Sequence, residues 1–184
     1  MTFDKCFELT VKAEGGYVND PTDLGSETIY GISRKHHPDS TIWKYIDKWK
    51  ERGMTPYEIN KMAKLTPEFI DFVKAIYRGG YWLSCKCDKL NRKYHLPIFN
   101  CAVNIGVKNA SKLFQRALGV QDDGIIGTKT IRKAYISSPK TVLEKFYNNW
   151  EGYYDKVVEK RPEQAKFRKG WHNRIEQVKK DNCD

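Results

Sequence analysis

Apolar residues in this chain recur at helical spacing in short runs, and nearly every run carries its own start or stop signal. Phe3, Cys6, Phe7, Thr10 and Val11 fall at i, i+3, i+4, i+7 and i+8, one buried face of a helix. Gly15 and Gly16 should end that helix just after Glu14, because glycine takes the left-handed C-cap conformation readily. Ile42, Trp43, Tyr45, Ile46 and Trp49 predict an amphipathic helix behind an N-cap at Thr41. Thr55-Pro56-Tyr57-Glu58 sets an N-cap, an N1 proline and an N3 glutamate in order, the signature of a capping box. Thr66-Pro67 opens a helix with Phe69, Ile70, Val73, Ile76 and Tyr77, closed by Gly79-Gly80. Further helices are expected over residues 97–105, through Leu113, Phe114, Ala117 and Leu118 up to Gly119, from Ser138-Pro139 through Val157, and from Pro162 through Val178.

Only residues 17–32 break this rhythm. Asn19 to Gly25 is dense in turn formers, and Ile29-Tyr30-Gly31-Ile32 is the one strand-like stretch, so a small β-hairpin is expected. The fold class is therefore mainly α, with a small β-hairpin lobe near the N-terminus. At 184 residues the chain has room for one medium domain or two small ones. Residues 83–96 are charged and irregular, which puts a boundary near residue 93. The regions 1–93 and 94–184 are expected to pack as one globule.

Several function classes are excluded early. No apolar run approaches the length of a membrane-spanning helix. The start, Met-Thr-Phe-Asp-Lys, has neither a basic nor an apolar leader region. Synthesis in the cytoplasm without a Sec signal peptide is expected. Thirty-three Lys and Arg against twenty-three Asp and Glu give a net charge of +10, which favours a polyanionic partner. Nucleic acid is not expected, because no basic tail or known nucleic-acid module is present. Five cysteines, an odd number, fit a reducing compartment, and Cys6 and Cys101 lie on apolar stripes as core thiols. Cys85-Lys-Cys87 near His95 has the wrong spacing for structural zinc, so no metal is expected. No P-loop, dinucleotide fingerprint or Ser/His/Asp order occurs, and no cofactor is expected.

The chemistry gathers at Glu14-Gly15-Gly16-Tyr17 and the polar turn after it. A carboxylate at a helix C-terminus faces unpaired carbonyls and the negative end of the macrodipole. Both disfavour its ionised form, which suits a general acid. A second carboxylate across a cleft, Asp23 or Asp20, would complete the pair that glycoside hydrolysis needs. The Thr28 hydroxyl could hold the attacking water. A helix stop followed by a solvated acidic turn is the plain structural alternative.

These residues resemble glycoside hydrolase family 108, the lysozyme-like muramidases found as phage endolysins and bacterial peptidoglycan hydrolases. The likeness runs through Glu14 to Pro21, then Asp23, Gly25, Thr28 and Tyr30-Gly31-Ile32-Ser33, and on to Ile76-Tyr77-Arg78 and Tyr81-Trp82. A second likeness, to the predicted peptidoglycan-binding region that accompanies the family, covers Phe99 to Gly106, Leu113 to Gly119, and Asp123 to Gly127 with Thr130. Of these, Asp123-Gly124 reads as a turn, Gly127 as relief for a tight backbone and Thr128 as a helix cap.

The resemblance implies a lysozyme-like catalytic region, residues 1–93, followed by a helical wall-binding region, residues 94–184. It implies cleavage of the β-1,4 bond between N-acetylmuramic acid and N-acetylglucosamine, with Glu14 as acid. Glu14, Asp23 and Thr28 are similar to the Glu/Asp/Thr triad of phage lysozymes. Eight residues separate the first pair, as there, but four rather than five separate the second. Asp20 and Glu27 therefore stay open as the second carboxylate. Tyr17, Tyr30, Tyr81 and Trp82 flank the expected cleft and could stack on sugar rings. Asn104, near a helix end, could meet an N-acetyl group. Residues 43–66 match nothing clearly, and Trp43, Tyr45 and Trp49 read as core.

The expected partner is the peptidoglycan glycan strand, met by a monomer acting at the cell wall, with inverting hydrolysis by analogy to phage lysozymes. Phage lysis and bacterial wall remodelling for protein or toxin export use the same bond cleavage. Two other classes compete: a wall-binding protein that does not cut, and a basic nucleic-acid binder.

Overall fold

A computed structural model describes residues 1–11, 15–19 and 27–183 of the chain. It divides into two compact units, Phe7–Arg78 and a discontinuous one made of Met1–Cys6 with Gly79–Asp184. Helix α1 spans Phe3–Val11, strands β1 and β2 span Thr28–Ile29 and Ile32–Ser33, and helices α2, α3 and α4 span Ile42–Glu51, Pro56–Leu65 and Pro67–Tyr77. In the second half α5 is His95–Ile105, α6 Val107–Leu118, α7 Thr128–Ile136, α8 Pro139–Lys160 and α9 Arg168–Asp181. Among the described residues the fold is mainly α with one two-stranded antiparallel hairpin, as the sequence pattern requires. The expected end of α1 at Glu14 lies outside the described residues.

In the unit Phe7–Arg78, α2, α3 and α4 pack on one another around Phe69. The Phe69 ring lies 5.3 Å from Trp49, 5.9 Å from Tyr45 and 6.4 Å from Tyr30. Trp43 and Trp49 are buried and Tyr45 half-buried, so this stripe forms core. Thr55 and Glu58 form the capping box read from their spacing. Thr41 does not cap α2: its own backbone is helical (φ −57°) and its hydroxyl makes no cap bond.

The stretch Ile29–Ile32 is a turn rather than one strand. Ile29 pairs with Ile32, and Tyr30 and Gly31 between them take φ values of 49° and 70°. Positive φ at both central positions is what a tight hairpin with right-twisted strands demands. A left-handed tyrosine costs about 1–2 kcal/mol. Burial of its ring and a 2.7 Å bond from the Tyr77 hydroxyl to its carbonyl offset that cost.

Gly79-Gly80 does not close α4 either. The chain continues through a π-helical turn, Arg78–Leu83, because neither glycine adopts positive φ and both stay helical. Two 3-10 turns, Cys87–Lys89 and Arg92–Tyr94, follow. Pro162 likewise starts a 3-10 segment, Pro162–Phe167, ahead of α9.

The discontinuous unit is built on α5, buried along most of its length and packed against α6 and α9. An aromatic chain runs from Tyr94 through Phe114, Phe146, Trp150 and Tyr154 to Trp171. The Asp123-Gly124 turn is latched from inside by buried Gln115. Its amide Nε2 donates to Asp123 Oδ1 at 2.8 Å, to the Ile125 carbonyl and to Thr130 Oγ1, while Oε1 accepts from the Gly124 amide. Gly124, not Gly127, is the conformationally demanding glycine, with φ of 85° and Lys108 in the way of any side chain. Thr128 begins α7 instead of capping it.

Cys6, Cys85, Cys87 and Cys101 are buried and free, and Cys183 is exposed. Burial pushes the Cys6 and Cys85 thiols up to about 12 and raises Cys87 and Cys101 well above the ordinary thiol value. Only the thiolate reacts. Titration of native protein with a thiol reagent near pH 8 should therefore modify one cysteine quickly, and unfolded protein all five. Rapid labelling of more than one in the native state would contradict this packing.

Candidate active site

Glu14 and Asp23, together with Asp20, lie outside the described residues, but the backbone after Glu14 is tightly held. The Gly15 carbonyl accepts from the Tyr30 amide at 3.2 Å. The Tyr17 amide donates to Asn60 Oδ1 at 2.6 Å, and Asn60 Nδ2 donates to the Pro56 carbonyl of α3. Val18 and Thr28 exchange two backbone bonds of 2.8 Å, which adds a third short arm to the hairpin. Thus the hairpin and α3 together fix the segment Gly15–Val18.

Gly16 is needed for this arrangement. A Cβ there would come within 2.8 Å of the Asn60 amide carbon, inside any real contact distance. No local pattern in the sequence marks Asn60, since its partner is a backbone amide 43 positions away.

Glu27 is the buried electrostatic hub of the lobe. Tyr17 donates its hydroxyl to Glu27 Oε1 at 2.6 Å, Arg34 Nε sits 2.6 Å from Oε2, and Lys50 Nζ sits 3.2 Å from Oε1. Arg34 also makes a two-pronged pair with Asp47 and lies over the Trp43 ring, which ties the hairpin to α2. Burial, then the bond to Glu27, raises the Tyr17 phenol well above its usual value. With its oxygens so engaged, Glu27 is occupied in holding the lobe together.

Breaking a fully buried pair costs about 3–5 kcal/mol. Arg34 and Lys50 keep 30% and 40% of their side chains exposed, so the loss here is smaller. Glu27→Ala is expected to cost about 2 kcal/mol, read as a lower urea midpoint with an unchanged slope. A midpoint within error of the parent would remove Glu27 from this role.

An open cavity of about 700 Å³ adjoins the anchored segment. Phe7, Val11 and Tyr30 supply apolar wall, and Gly16 and Asn60 border it. Glu8, Tyr57, Lys61 and Lys64 add polar and charged groups. Tyr57 is 78% exposed, an aromatic face free to meet a ring. This combination of apolar surface with a few polar groups suits a small ligand that presents both kinds of surface.

The sequence-derived candidates fall into both units. Tyr17, Thr28 and Tyr30 come together around the hairpin. Tyr17 and Tyr30 are buried and Thr28 half-buried. Tyr81, Trp82 and Asn104 belong to the discontinuous unit. Trp82 is 2% exposed, packed against Phe3, His95 and Phe99, with its indole N–H on Asp88. Its rings serve packing, and Tyr81 beside it is half-buried. Asn104 is half-buried and accepts a hydrogen bond from the Tyr154 hydroxyl through Oδ1. Among the described residues no group of three or more His, Cys, Asp or Glu could hold a metal ion, and no helix is long and apolar enough to cross a membrane.

Comparison with known proteins gives two family matches. The model described as Glycosyl hydrolase 108 matches residues 7–106, and that described as Predicted Peptidoglycan domain matches residues 109–176. A solved structure, that of Brucella abortus SagA, has a similar fold, with a TM-score of 0.70 and 24% identity over 98% of this chain and 93% of that one. No curated protein matches the chain significantly.

Proposed function

The chain belongs to the glycosyl hydrolase 108 family and is a peptidoglycan hydrolase, and from this premise we propose that it is an N-acetylmuramidase with Glu14 as its general acid. The reading rests chiefly on one observation. The segment directly after Glu14 is pinned by Tyr30, Asn60 and Thr28 at the border of a carbohydrate-sized groove. A catalytic group must be held to within a fraction of an ångström, and rigid neighbours supply that.

In the proposed reaction Glu14 gives its proton to the glycosidic oxygen as the C1–O bond breaks. Asp23, ionised, takes a proton from a water that attacks C1 on the opposite face, while Thr28 orients that water by hydrogen bond. The positive charge developing at C1 is balanced by the Asp23 carboxylate. No cofactor enters this balance. An arrangement with room for water between two carboxylates, about 6.5–9.5 Å apart, inverts the anomeric centre. The β-linked substrate then gives an α-anomeric product. Asn104 can donate its Nδ2 hydrogens to an N-acetyl carbonyl, since its Oδ1 is taken by Tyr154.

The test is digestion of purified peptidoglycan followed by identification of the new reducing ends. N-acetylmuramic acid at those ends is expected. Reducing N-acetylglucosamine, or no new reducing end, would refute the assignment. The same bond cleavage serves phage lysis and bacterial wall remodelling for export.

A further inference from the structure

The faces that α6 and α8 turn to a common cleft have an unusual composition. From α6 come Asn109, Lys112, Leu113 and Arg116, at i, i+3, i+4 and i+7. From α8 and its end come Tyr153, Lys156, Val157, Lys160 and Arg161, at i, i+3, i+4, i+7 and i+8. They line a cleft of about 480 Å³. Stripes at this spacing on packed helices are normally apolar. Here five of nine residues are cations.

Those cations are poorly compensated from within. Arg116 pairs with Asp122 at 2.6 Å. Asp155 on α8 is engaged with Arg168. Lys156, Lys160 and Arg161 have no ion-pair partner among the described residues, and Lys112 makes none either, though the carboxylates of Asp122 and Asp123 lie within its electrostatic reach. Placement near helix C-termini favours Arg116, Lys160 and Arg161. It does not explain Lys112 and Lys156, which sit a turn or more further in. Like charges gathered in one cleft repel, and that repulsion is relieved when an anion enters.

We propose that this cleft is the wall-attachment site of the chain, and that it takes the carboxylates of peptidoglycan stem peptides. Each α6 or α8 stripe covers about two helical turns, roughly 11 Å. That length receives one or two carboxylates and is too short to follow a phosphate backbone. Asn109 and the Tyr153 hydroxyl, 3.4 Å apart, add neutral hydrogen-bonding groups for the peptide amides. Leu113 and Val157 supply apolar floor. An acidic peptide carries all three chemistries, whereas a bare polyphosphate has only the first. The proposal rests on peptidoglycan being the substrate.

The experiment is co-sedimentation of the full chain, carrying Glu14→Gln so that walls stay intact, with sacculi cleared of other polymers. The triple change Lys112→Gln, Lys156→Gln, Lys160→Gln is expected to weaken retention about 10- to 100-fold, with a melting temperature equal to or above the parent's. Walls stripped of stem peptides by an amidase should retain the parent equally weakly. Retention of the parent should fall more steeply with added salt than that of the triple variant. Undiminished retention of the variant, or of the parent on stripped glycan, overturns the proposal. So does tighter binding of the parent to duplex DNA than to sacculi. A native chain, with Glu14 in place, that holds walls through the cleft but releases no reducing ends would sink the muramidase reading and leave this one standing.

Discussion

Replacing Glu14 by glutamine is expected to slow reducing-end release from purified peptidoglycan by about 10²- to 10⁴-fold, the usual worth of a positioned general acid. Glutamine keeps the shape and hydrogen-bonding reach of glutamate and removes only the transferable proton. The loss should therefore fall on kcat, with sedimentation on intact walls unchanged, because the interaction lost exists only in the transition state. Aryl glycosides with good leaving groups need less protonation and should be spared most of the loss. Equal rates for parent and variant would end the proposed role of Glu14. A variant that fails to bind walls as well would indicate a collapsed lobe instead, which is why both measurements belong together.

The second large effect is expected at a residue with no reactive group. Gly16→Ala sets a methyl against the Asn60 amide, whose carbon would be 2.8 Å away. Asn60 is fixed by its bond to the Pro56 carbonyl, so the clash is relieved by moving the Gly15–Tyr17 backbone. A displacement of about 1 Å in a catalytic group can cost on the order of 10² in rate, and overpacking typically costs about 1–3 kcal/mol in stability. Asn60→Ala alone removes the clash partner and also the acceptor of the Tyr17 amide. The pair should therefore be strongly non-additive: Gly16→Ala in the Asn60→Ala background should do little further harm. Additive losses would mean that the two residues act independently.

What could be read from the sequence follows the range of the interactions. The Thr55–Glu58 capping box is complete within four residues, and spacing alone gave it correctly. Helix faces such as Trp43, Ile46 and Trp49 were equally plain. Errors arose where one local signal had two physical outcomes. Ile29–Ile32 has strand-forming ends, but the central pair adopts turn geometry under tertiary restraint from Tyr77. Gly79-Gly80 can stop a helix or continue one, and here the helix widens into a π turn.

The candidate site was legible only in its local part. Glu14-Gly15-Gly16 stands out by composition, yet Asn60 gains its role from a bond spanning 43 positions. Glu27 read as one more acid in a polar turn, and only the convergence of Tyr17, Arg34 and Lys50 marks it as a structural hub. Trp82 shows the opposite failure. Aromatics line both cores and sugar sites, and composition cannot say which until its neighbours Phe3 and Phe99 are known.

The placement of the first six residues bears on any attempt to transplant the discontinuous unit. Phe3 lies edge-on to both Trp82 and Phe99, and His95 Nδ1 meets the Met1 carbonyl at 2.6 Å. A cassette cut from residue 79 onward would carry a vacant aromatic slot into its new host. Fusion designs therefore have to resupply that opening peptide, either by circular permutation or as a short leader joined in front.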